Sequence, residues 1–340
     1  MYNFRNDYSE GAHPRVLEAL VRTNQEATAG YGEDPYCAAA ADLIRGRFEC
    51  PQADVHFLVG GTQTNYTAIT AFLRPWEAVV AADTGHIAVH ETGAVEARGH
   101  KVVVLPHEAG KVTPQALRKV WHEHTASSPG HLVLPRMLYI SDSTELGTVY
   151  TKAELAALRE VCNEFGMYLY MDGARLASAL TAQGNDLTPA DLPRFCDAFT
   201  LGGTKCGLLF GECLVITNPA LKPNFRYCMK QCGAMLAKGR LLGVQFQALV
   251  EDDLWLELGH HENEMAVRLS QGFVEAGYRL YAQSPTNQVF VVLSHEKIRE
   301  LEKDFIFEFI ATVDETHDAI RFVTSWATQP ETVEALLRAL

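Results

Sequence analysis

Residues 168–175 read Tyr-Leu-Tyr-Met-Asp-Gly-Ala-Arg, an apolar run that ends in an acidic residue and a glycine. The apolar part predicts a short buried strand over 168–171. Asp172 then stands at the carboxyl end of that strand, at the sheet edge where open α/β folds bind ligands. A carboxylate at this position can pair with a protonated ring nitrogen of a ligand. The alternative is that it only caps the helix that follows.

Short apolar strands alternate with helical patterns on both sides of this segment. Such alternation indicates βαβ units, whose parallel sheet is covered by helices on both faces. We therefore predict an α/β fold with a mostly parallel central sheet. The predicted strands are 55–59, 78–82, 101–105, 136–141, 168–171, 198–201 and 212–217. The predicted helices between them are 65–73, 113–122 and 152–165.

The pattern changes after about residue 245, where one long helical region, 242–276, precedes shorter strands. This change predicts a smaller C-terminal α+β domain. We place the large domain at 1–245, with the N-terminal segment included, and the small domain at 246–340. The predicted elements of the small domain are strands 289–293, 305–310 and 319–324 and a closing helix 332–340.

Composition excludes several classes of protein. The hydrophobic content of 47% and the charged content of 21% are ordinary for a globular protein and exclude collagen-like and disordered chains. The formal net charge of −13 opposes general binding to nucleic acid or to an anionic membrane, because both require clustered Lys and Arg. No apolar run reaches the length of a membrane span, and residues 1–10 lack the pattern of a signal peptide.

The eight cysteines form no Cys-x-x-Cys pair. Several lie in apolar stretches, as Cys196 and Cys213 do. We predict buried free thiols, which is what a reducing compartment favours. Together with the polar N-terminus, this predicts a cytoplasmic protein.

Residues 201–207, Leu-Gly-Gly-Thr-Lys-Cys-Gly, place one lysine among small residues just after a predicted strand. A lysine that forms a Schiff base needs a lowered pKa and room for an aldehyde, and a semi-buried glycine-rich turn offers both. The spacing from Asp172 accommodates one helix and one strand, so Lys205 and Asp172 are expected to face one crevice. The alternative is a solvated surface lysine.

Residues 60–65, Gly-Gly-Thr-Gln-Thr-Asn, follow a predicted strand and open a helix. Glycines let a ligand approach the backbone, and the free N–H groups of a helix N-terminus suit a phosphate. The segment is neither a Walker A loop nor a Gly-x-Gly-x-x-Gly motif. A plain turn with a helix cap is the alternative.

Residues 85–91, Gly-His-Ile-Ala-Val-His-Glu, contain two histidines four positions apart. The flat imidazole of His86 can stack on a cofactor ring. Spacing of i, i+4 also allows His86 and His90 to share a metal, but the His-Glu-x-x-His order and a third ligand are missing. We predict no metal here, and a structural, hydrogen-bonded histidine remains an alternative.

Arg321 lies inside the apolar run 320–324, where an unpaired guanidinium would be costly. Arginine binds carboxylates through two hydrogen bonds, and every amino acid has a carboxylate. Arg321 is therefore a candidate for binding an amino-acid substrate. A structural salt bridge is the alternative.

These five segments, in this order, resemble the threonine-aldolase/β-eliminating-lyase family of fold-type I pyridoxal phosphate (PLP) enzymes. The resemblance runs from Asn-Asp-Tyr-Ser at 6–9, through Gly-Tyr-Gly-Glu-Asp-Pro at 30–35, to Thr-Ser-Trp-Ala-Thr at 324–328. Asp-Gly-Ala-Arg at 172–175 followed by Gly-Thr-Lys at 203–205 is its most specific part. Segments 60–65 and 144–148 are similar to a branch of low-specificity threonine aldolases.

The resemblance implies a role for each matching residue. Lys205 would form the Schiff base with PLP, Asp172 would pair with the pyridine nitrogen, and His86 would stack on the ring. The other cofactor-binding residues that it implies are Gly61, Thr62 and Gln63 at the phosphate, with Arg175 and Thr204. The substrate-binding residues that it implies are Asn6, Tyr31, Arg175 and Arg321.

Members of this family are homodimers or homotetramers with active sites at the subunit interface. The resemblance therefore implies that Tyr31 reaches into the partner's site. A basic residue in 230–239 helps bind the partner's phosphate in the family, and Lys238 or Arg240 would take that role here.

The chain departs from the family pattern in two places. It has Asn-Asp-Tyr at 6–8, where the family has Ser-Asp-Thr. It also lacks the histidine of a Glu-Asn-Thr-His segment near 141–144, so the residue that handles the substrate's β-hydroxyl group is not identified. The remaining candidates for that base are His86, His131 acting through water, and water alone.

The resemblance implies a lyase that cleaves L-threonine, L-allo-threonine or a related β-hydroxy amino acid to glycine and an aldehyde. The alternative within the same fold is β-elimination, racemisation or transamination of a small amino acid, because a fold does not fix the reaction. A non-catalytic binding protein and a metal enzyme using His86 and His90 are alternatives from other classes.

Overall fold

A computed structural model describes residues 1–126, 128 and 130–340. Its α-helices are α1 (Pro14–Thr23), α2 (Pro35–Arg47), α3 (Gly61–Phe72), α4 (His86–Val89), α5 (Pro114–Thr125), α6 (Lys152–Phe165), α7 (Leu176–Thr181), α8 (Leu192–Phe195), α9 (Phe225–Gln231), α10 (Arg240–Val250), α11 (Leu254–Glu275), α12 (His295–Leu301) and α13 (Pro330–Leu337). Its strands are β1 (Tyr2–Asn3), β2 (Asp54–Leu58), β3 (Glu77–Ala82), β4 (Val102–Leu105), β5 (Leu134–Ser141), β6 (Tyr168–Asp172), β7 (Ala198–Gly202), β8 (Glu212–Ile216), β9 (Leu280–Ala282), β10 (Gln288–Ser294), β11 (Phe305–Ile306), β12 (Glu308–Thr312) and β13 (His317–Val323).

The central sheet has seven strands in the order β2-β8-β7-β6-β5-β3-β4. Strand β8 is antiparallel to both of its neighbours, and the other six strands run in one direction. The structure therefore confirms the predicted α/β fold with a mostly parallel sheet.

Both faces of this sheet are buried, as the continuous apolar strands predict. Along β5, Leu138 and Ile140 pack into one core with α2, α6 and α10, because alternate side chains of a strand point to opposite faces. Met137 and Tyr139 point to the other face and pack with α3 and α9. Two cores thus fix the sheet between two layers of helices.

The direction of the strands brings separated segments to one sheet edge. The carboxyl ends of β2, β3, β5, β6 and β7 lie at this edge, and the predicted site segments follow those ends. Because β8 runs in the opposite direction, its first residue, Glu212, lies there too. This is the edge at which such sheets bind ligands.

The region 242–276, predicted to be helical, contains two helices, α10 and α11. Asp252 and Asp253, between them, have left-handed backbone angles, φ 56° and 59°. Among the helices of the described chain, none is long and apolar enough to cross a membrane.

The predicted strand 305–310 is also divided. Strand β11 pairs in parallel with β1 at the N-terminus, whereas β12 joins an antiparallel sheet of order β12-β13-β10-β9. Phe4 packs in the core under this small sheet, so the N-terminal residues lie against the C-terminal part of the chain. Helix α11 contributes to that core and to the core of the large sheet. The limits of the two domains, 1–245 and 246–340, stay a prediction.

The cysteines are free in the structure, and seven of the eight are buried, as the sequence predicts. Cys228 is the exception, with intermediate exposure. Burial raises the pKa of the Cys196 and Cys213 thiols, so these side chains behave as small apolar groups of the core.

Candidate active site

A cavity of about 320 Å³ opens at the carboxyl edge of the central sheet. Seven residues that the sequence singled out line it together: Gly61, Thr62, His86, Asp172, Arg175, Thr204 and Lys205. Other residues that line it were not singled out, among them Tyr8, Asn65, Ser141, Ser143, Glu145, Phe210 and Glu212.

Lys205 is presented by a tight turn between β7 and β8. The backbone N–H groups of Gly203 and Thr204 both donate to the carbonyl of Gly211 at 3.0 Å, which closes the turn. Position 203 has no room for a side chain, since a Cβ there would lie 2.4 Å from Leu208 Cδ1. The turn therefore depends on a glycine two residues before the lysine.

The surroundings of Lys205 favour a neutral amine. Burial lowers its pKa, and the positive charge of Arg175 lowers it further, against the opposing charges of Asp7 and Asp172. A lysine with a lowered pKa has the free electron pair needed to attack an aldehyde.

Asp172 ends β6 and is held by three donors. Its Oδ2 accepts hydrogen bonds from the Tyr139 hydroxyl at 2.6 Å and from Asn65 Nδ2 at 2.9 Å. Its Oδ1 accepts the backbone N–H of Ala174 at 3.0 Å. These three contacts fix the orientation of a carboxylate that is 7% exposed. A fixed anion at this point can pair with a protonated ring nitrogen.

His86 opens α4, a helix of a single turn, at the carboxyl end of β3. Its Nδ1 lies 2.8 Å from Glu91 Oε1, and Glu91 also accepts a hydrogen bond of 2.8 Å from Asn65. The buried carboxylate of Glu91 thus sets the orientation of the imidazole at the cavity wall.

The His86 and His90 rings lie 5.5 Å apart, centroid to centroid. His90 is the C-cap residue that follows α4, so the two histidines do not share the face of a longer helix. Within the described residues, no group of three or more His, Cys, Asp or Glu side chains is placed to hold a metal ion.

Helix α3 begins at Gly61 without a side-chain cap, so its first backbone N–H groups are free for a ligand. A Cβ at Gly60 or Gly61 would meet nothing within 4 Å, which shows open space beside this end of the helix. The side chain of Gln63 is used elsewhere. It accepts the backbone N–H of Val59 at 3.2 Å and donates to the carbonyl of Cys232 at 3.4 Å.

This set of groups fits PLP. The cavity combines an amine for the aldehyde, an acid for the ring nitrogen and an uncapped helix N-terminus for the phosphate. Open space beside Gly60 and Gly61 leaves room for the phosphate oxygens.

Arg175 lines the cavity but is already paired. Its Nε and Nη2 donate to Asp7 at 2.7 and 3.1 Å, and Asp7 also accepts Asn287 Nδ2 at 2.9 Å. Burial lowers the pKa of Arg175, but the charge of Asp7, the hydrogen bonds to it and the charges of Glu262 and Glu145 together outweigh burial and raise the pKa above its ordinary value. The remaining guanidinium nitrogen, Nη1, makes no hydrogen bond with another described residue.

Arg321 lies on β13 and does not line the cavity as the structure shows it. Its Nη1 donates to Gln288 Oε1 at 3.0 Å, and its Nη2 is bonded to Glu308. Its Nε is buried and has no partner in the described chain. The guanidinium is therefore held by a carboxylate of its own chain.

Three further implied residues, besides Gln63 and Arg321, do not line the cavity. Asn6 uses its side-chain oxygen to accept the N–H of Tyr8 and the hydroxyl of Ser9. Tyr31 is 48% exposed and lines a separate cavity of about 260 Å³, with Lys230 Nζ 4.6 Å from the centre of its ring. Lys238 is exposed just before α10.

Some of the unpredicted residues had a signal in the sequence. Asn65 and Glu91 are the last residues of segments 60–65 and 85–91, in which other residues were predicted to bind the cofactor. Glu212 is an acid that opens the apolar strand β8, and an acid in that position has to be buried. Glu145 lies in segment 144–148, which resembles the family, but no role was predicted for it, because its loop becomes part of the cavity only through long-range contacts.

Comparisons with known proteins agree with this site. Residues 3–296 match the family model described as beta-eliminating lyase. A low specificity L-threonine aldolase of Pseudomonas aeruginosa is 32% identical over 340 residues, covering 98% of this chain and 96% of that protein. A low specificity L-threonine aldolase of Escherichia coli K12 is 26% identical and covers 88% of this chain and 87% of its own length.

Solved structures agree as well. A threonine aldolase structure from Leishmania major has a TM-score of 0.96 and 48% identity, and the match covers 99% of each chain. An aspartate aminotransferase of Thermus thermophilus has a TM-score of 0.72 at 16% identity, covering all of this chain and 90% of its own, which shows the shared fold alone. The resemblance and the fold-type I architecture predicted from the sequence are confirmed: this chain belongs to the beta-eliminating lyase family.

Proposed function

We propose that this protein is a PLP-dependent lyase that cleaves L-threonine, L-allo-threonine or a related β-hydroxy amino acid to glycine and an aldehyde. The observation that carries the proposal is the meeting of Lys205, Asp172 and the uncapped N-terminus of α3 in one cavity. The names of the relatives from Pseudomonas and Leishmania support the threonine-cleaving activity in particular.

When bound, PLP supplies an electron sink for the pair released at the substrate's Cα, and this sink is stronger while the ring nitrogen is protonated. Asp172 would hold that proton in place through its fixed carboxylate. His86 would cover one face of the ring, in the orientation set by Glu91. Gly61 and Thr62 would bind the phosphate through their backbone N–H groups.

Two arginines are available for the substrate's carboxylate. Arg175 lines the cavity, and its Nη1 makes no hydrogen bond within the described part of the chain, while Asp7 fixes the other side of its guanidinium. Arg321 would release Glu308 and bind the substrate's carboxylate in its place. A carboxylate fixed in this way sets which bond at Cα is aligned for cleavage.

Lys205 has a second role besides attachment. Because its pKa is lowered by burial and by Arg175, its amine is able to take and return a proton inside the cavity. The proton that finally enters at Cα, giving glycine, would come from this amine.

Other reactions on the same frame are β-elimination, racemisation and transamination. The description of the matched family favours β-elimination as the second candidate. The products distinguish them, since serine or threonine would then give a keto acid and ammonia instead of glycine and an aldehyde.

We further propose a homodimer or homotetramer with shared active sites. The distance of Tyr31 and Lys238 from their own cavity supports this, because exposed residues of one subunit are free to reach another. The buried free cysteines support a cytoplasmic location, because a reducing compartment keeps thiols free.

The test uses the purified, PLP-loaded protein. L-threonine, L-allo-threonine, L-serine and phenylserine are supplied, and glycine, aldehyde, keto acid and ammonia are measured. Borohydride reduction followed by mass spectrometry should leave the cofactor on Lys205 of the wild type and none on Lys205→Ala. Keto acid and ammonia without glycine would overturn the proposed cleavage of the Cα–Cβ bond in favour of β-elimination.

A further inference from the structure

The carboxyl group of Glu145 lies in the wall of the active-site cavity, beside His86. Glu145 lies in the loop that follows β5. Ser141, the last residue of β5, pairs with Asp172, the last residue of the neighbouring strand β6. The inference drawn from it rests on the proposed function, because cleavage of a β-hydroxy amino acid requires a base at the β-hydroxyl. His131, one of the candidates for that base, is exposed and does not line the cavity.

One oxygen of Glu145 is fixed and the other is free. Oε1 accepts the backbone N–H of His86 at 2.8 Å and the hydroxyl of Ser141 at 2.7 Å. Oε2 receives no hydrogen bond from another residue in the described part of the chain. Nor is Oε2 one of the side-chain atoms that are fully buried and have no hydrogen-bond partner. The carboxyl group is therefore oriented through Oε1, and its Oε2 is available to the cavity.

Glu212 also lines the cavity, but burial and the charge of Asp172 raise its pKa to about 8, so it holds its proton at neutral pH and does not serve as a base. Three further carboxyl groups at or near the cavity are committed elsewhere. Asp172 is held by three donors and would pair with the ring nitrogen of the cofactor. Asp7 is bonded to Arg175, and Glu91 is bonded to His86 and Asn65. Glu145 forms no ion pair with a lysine or arginine of the described chain.

The electrostatic surroundings suit proton transfer. Burial raises the pKa of Glu145, and the negative charge of Asp172 raises it further, while the Ser141 hydrogen bond opposes the shift. A carboxylate whose pKa is moved toward neutral pH is a better general base than one at its ordinary value.

We propose that Glu145 is the catalytic base that acts on the β-hydroxyl group of the substrate. Glu145 Oε2 takes the hydroxyl proton as the Cα–Cβ bond breaks. The oxygen keeps its electrons and forms the carbonyl of the leaving aldehyde, and the bonding pair stays with Cα. In the reverse direction, the protonated Glu145 returns the same proton to the new hydroxyl.

Glu145→Gln tests this proposal, because a glutamine keeps an acceptor for His86 and Ser141 but cannot take the proton. Two reactions are compared on the PLP-loaded enzyme: cleavage of L-threonine, and exchange of the Cα proton of glycine in D₂O. Glycine has no β-hydroxyl. Threonine kcat should fall by about 10²–10⁴-fold, the usual range for loss of a general base. Glycine exchange and the glycine-induced change in absorbance should stay within about threefold, because they need no such base.

The pH profile gives a readout that a structural role would not produce. The wild-type kcat/KM should fall as pH drops through the raised pKa of Glu145, and this acidic limb should be missing in Glu145→Gln. Asp142→Asn is the matched control, since Asp142 is a buried carboxyl group of the same loop that accepts the N–H of Tyr150 and does not line the cavity. Asp142→Asn should change the rate of threonine cleavage and the rate of glycine exchange by the same factor.

Two results would overturn the proposal. One is threonine cleavage by Glu145→Gln at near wild-type rate with the acidic limb intact. The other is equal loss of cleavage and exchange, which would mean that Glu145 only holds the cavity together. A wild-type enzyme that cleaves no β-hydroxy amino acid would instead refute the proposed function, so the two failures are distinguishable.

Discussion

The side-chain nitrogen of Asn65 donates a hydrogen bond of 2.9 Å to Asp172, although 107 positions separate the two residues in the sequence. The same nitrogen donates to Glu91 at 2.8 Å, and the Asn65 oxygen accepts the Tyr170 hydroxyl at 3.0 Å. Asn65 therefore connects the acid expected at the cofactor's ring nitrogen with the acid that orients His86.

Asn65→Ala should weaken both contacts at once. A hydrogen bond to a charged group is worth about 1.5–3 kcal/mol, so the affinity for PLP should fall roughly ten- to hundredfold. The dissociation constant is measured by absorbance titration of the cofactor-free protein. Tyr170→Phe is the control, because it removes only the bond to the Asn65 oxygen and leaves Asp172 and Glu91 with their donor. Binding of PLP to Asn65→Ala within twofold of the wild type would contradict this account.

Local patterns predicted the parts of this site that depend on neighbouring residues. The apolar run before Asp172 and the small residues around Lys205 were sufficient to place both at the carboxyl ends of strands. Helix α6, predicted over 152–165, was found with those limits because a Thr-x-x-Glu capping box opens it and a left-handed glycine ends it.

Contacts between distant segments were not predictable from the same patterns. Asp252 and Asp253 adopt left-handed backbone angles between α10 and α11, and the helical periodicity of 242–276 did not indicate a break there. The division of the strand predicted at 305–310 depends on pairing with Tyr2 and Asn3, more than 300 positions earlier. Glu145 enters the cavity for the same kind of reason, through its contact with the backbone of His86.

Asp7 should make stability depend on acid pH. Burial alone would raise its pKa, but the charge of Arg175 and, less strongly, that of Lys205 lower the pKa from 3.8 to about 2. The pKa of Asp7 is lower in the folded protein than in the unfolded chain. The charged Asp7 therefore stabilises the fold above pH 4, and this stabilisation is lost as pH falls toward 2.

Asp7→Asn should be less stable than the wild type at pH 7 by about 3–5 kcal/mol, because the substitution leaves Arg175 buried without its partner. The difference in the free energy of unfolding between the two proteins should become smaller as pH falls from 4 toward 2. The free energies of unfolding are obtained by urea titration at a series of pH values. A gap that stays constant over this range would rule out the ion pair as its cause.

Arg321 should act on substrate binding more than on turnover. Arg321→Lys removes the paired donors that fit a carboxylate, so the KM for L-threonine should rise roughly ten- to hundredfold while kcat changes less. Glu308→Gln gives the opposite test. It frees the guanidinium from its bond within the chain and should lower KM. Unchanged KM values in both variants would exclude Arg321 from the substrate site and leave its pair with Glu308 as structural.

Glu212 should make the cofactor-free protein less stable as pH rises. Burial and the charge of Asp172 raise its pKa to about 8, against the opposing charge of Lys205. An unfolded chain releases this proton near pH 4.3, whereas the folded protein keeps it up to about pH 8. Between these values the folded state binds more protons than the unfolded state, so its stability must fall with rising pH.

Glu212→Gln removes this pH dependence while preserving the shape of the side chain. The variant should match the wild type near pH 5 and exceed its free energy of unfolding by more than about 1 kcal/mol at pH 8, since each unit of pKa shift corresponds to about 1.4 kcal/mol. Urea titrations at pH 5, 6.5 and 8 measure the difference, and parallel curves for the two proteins would mean that Glu212 is charged throughout.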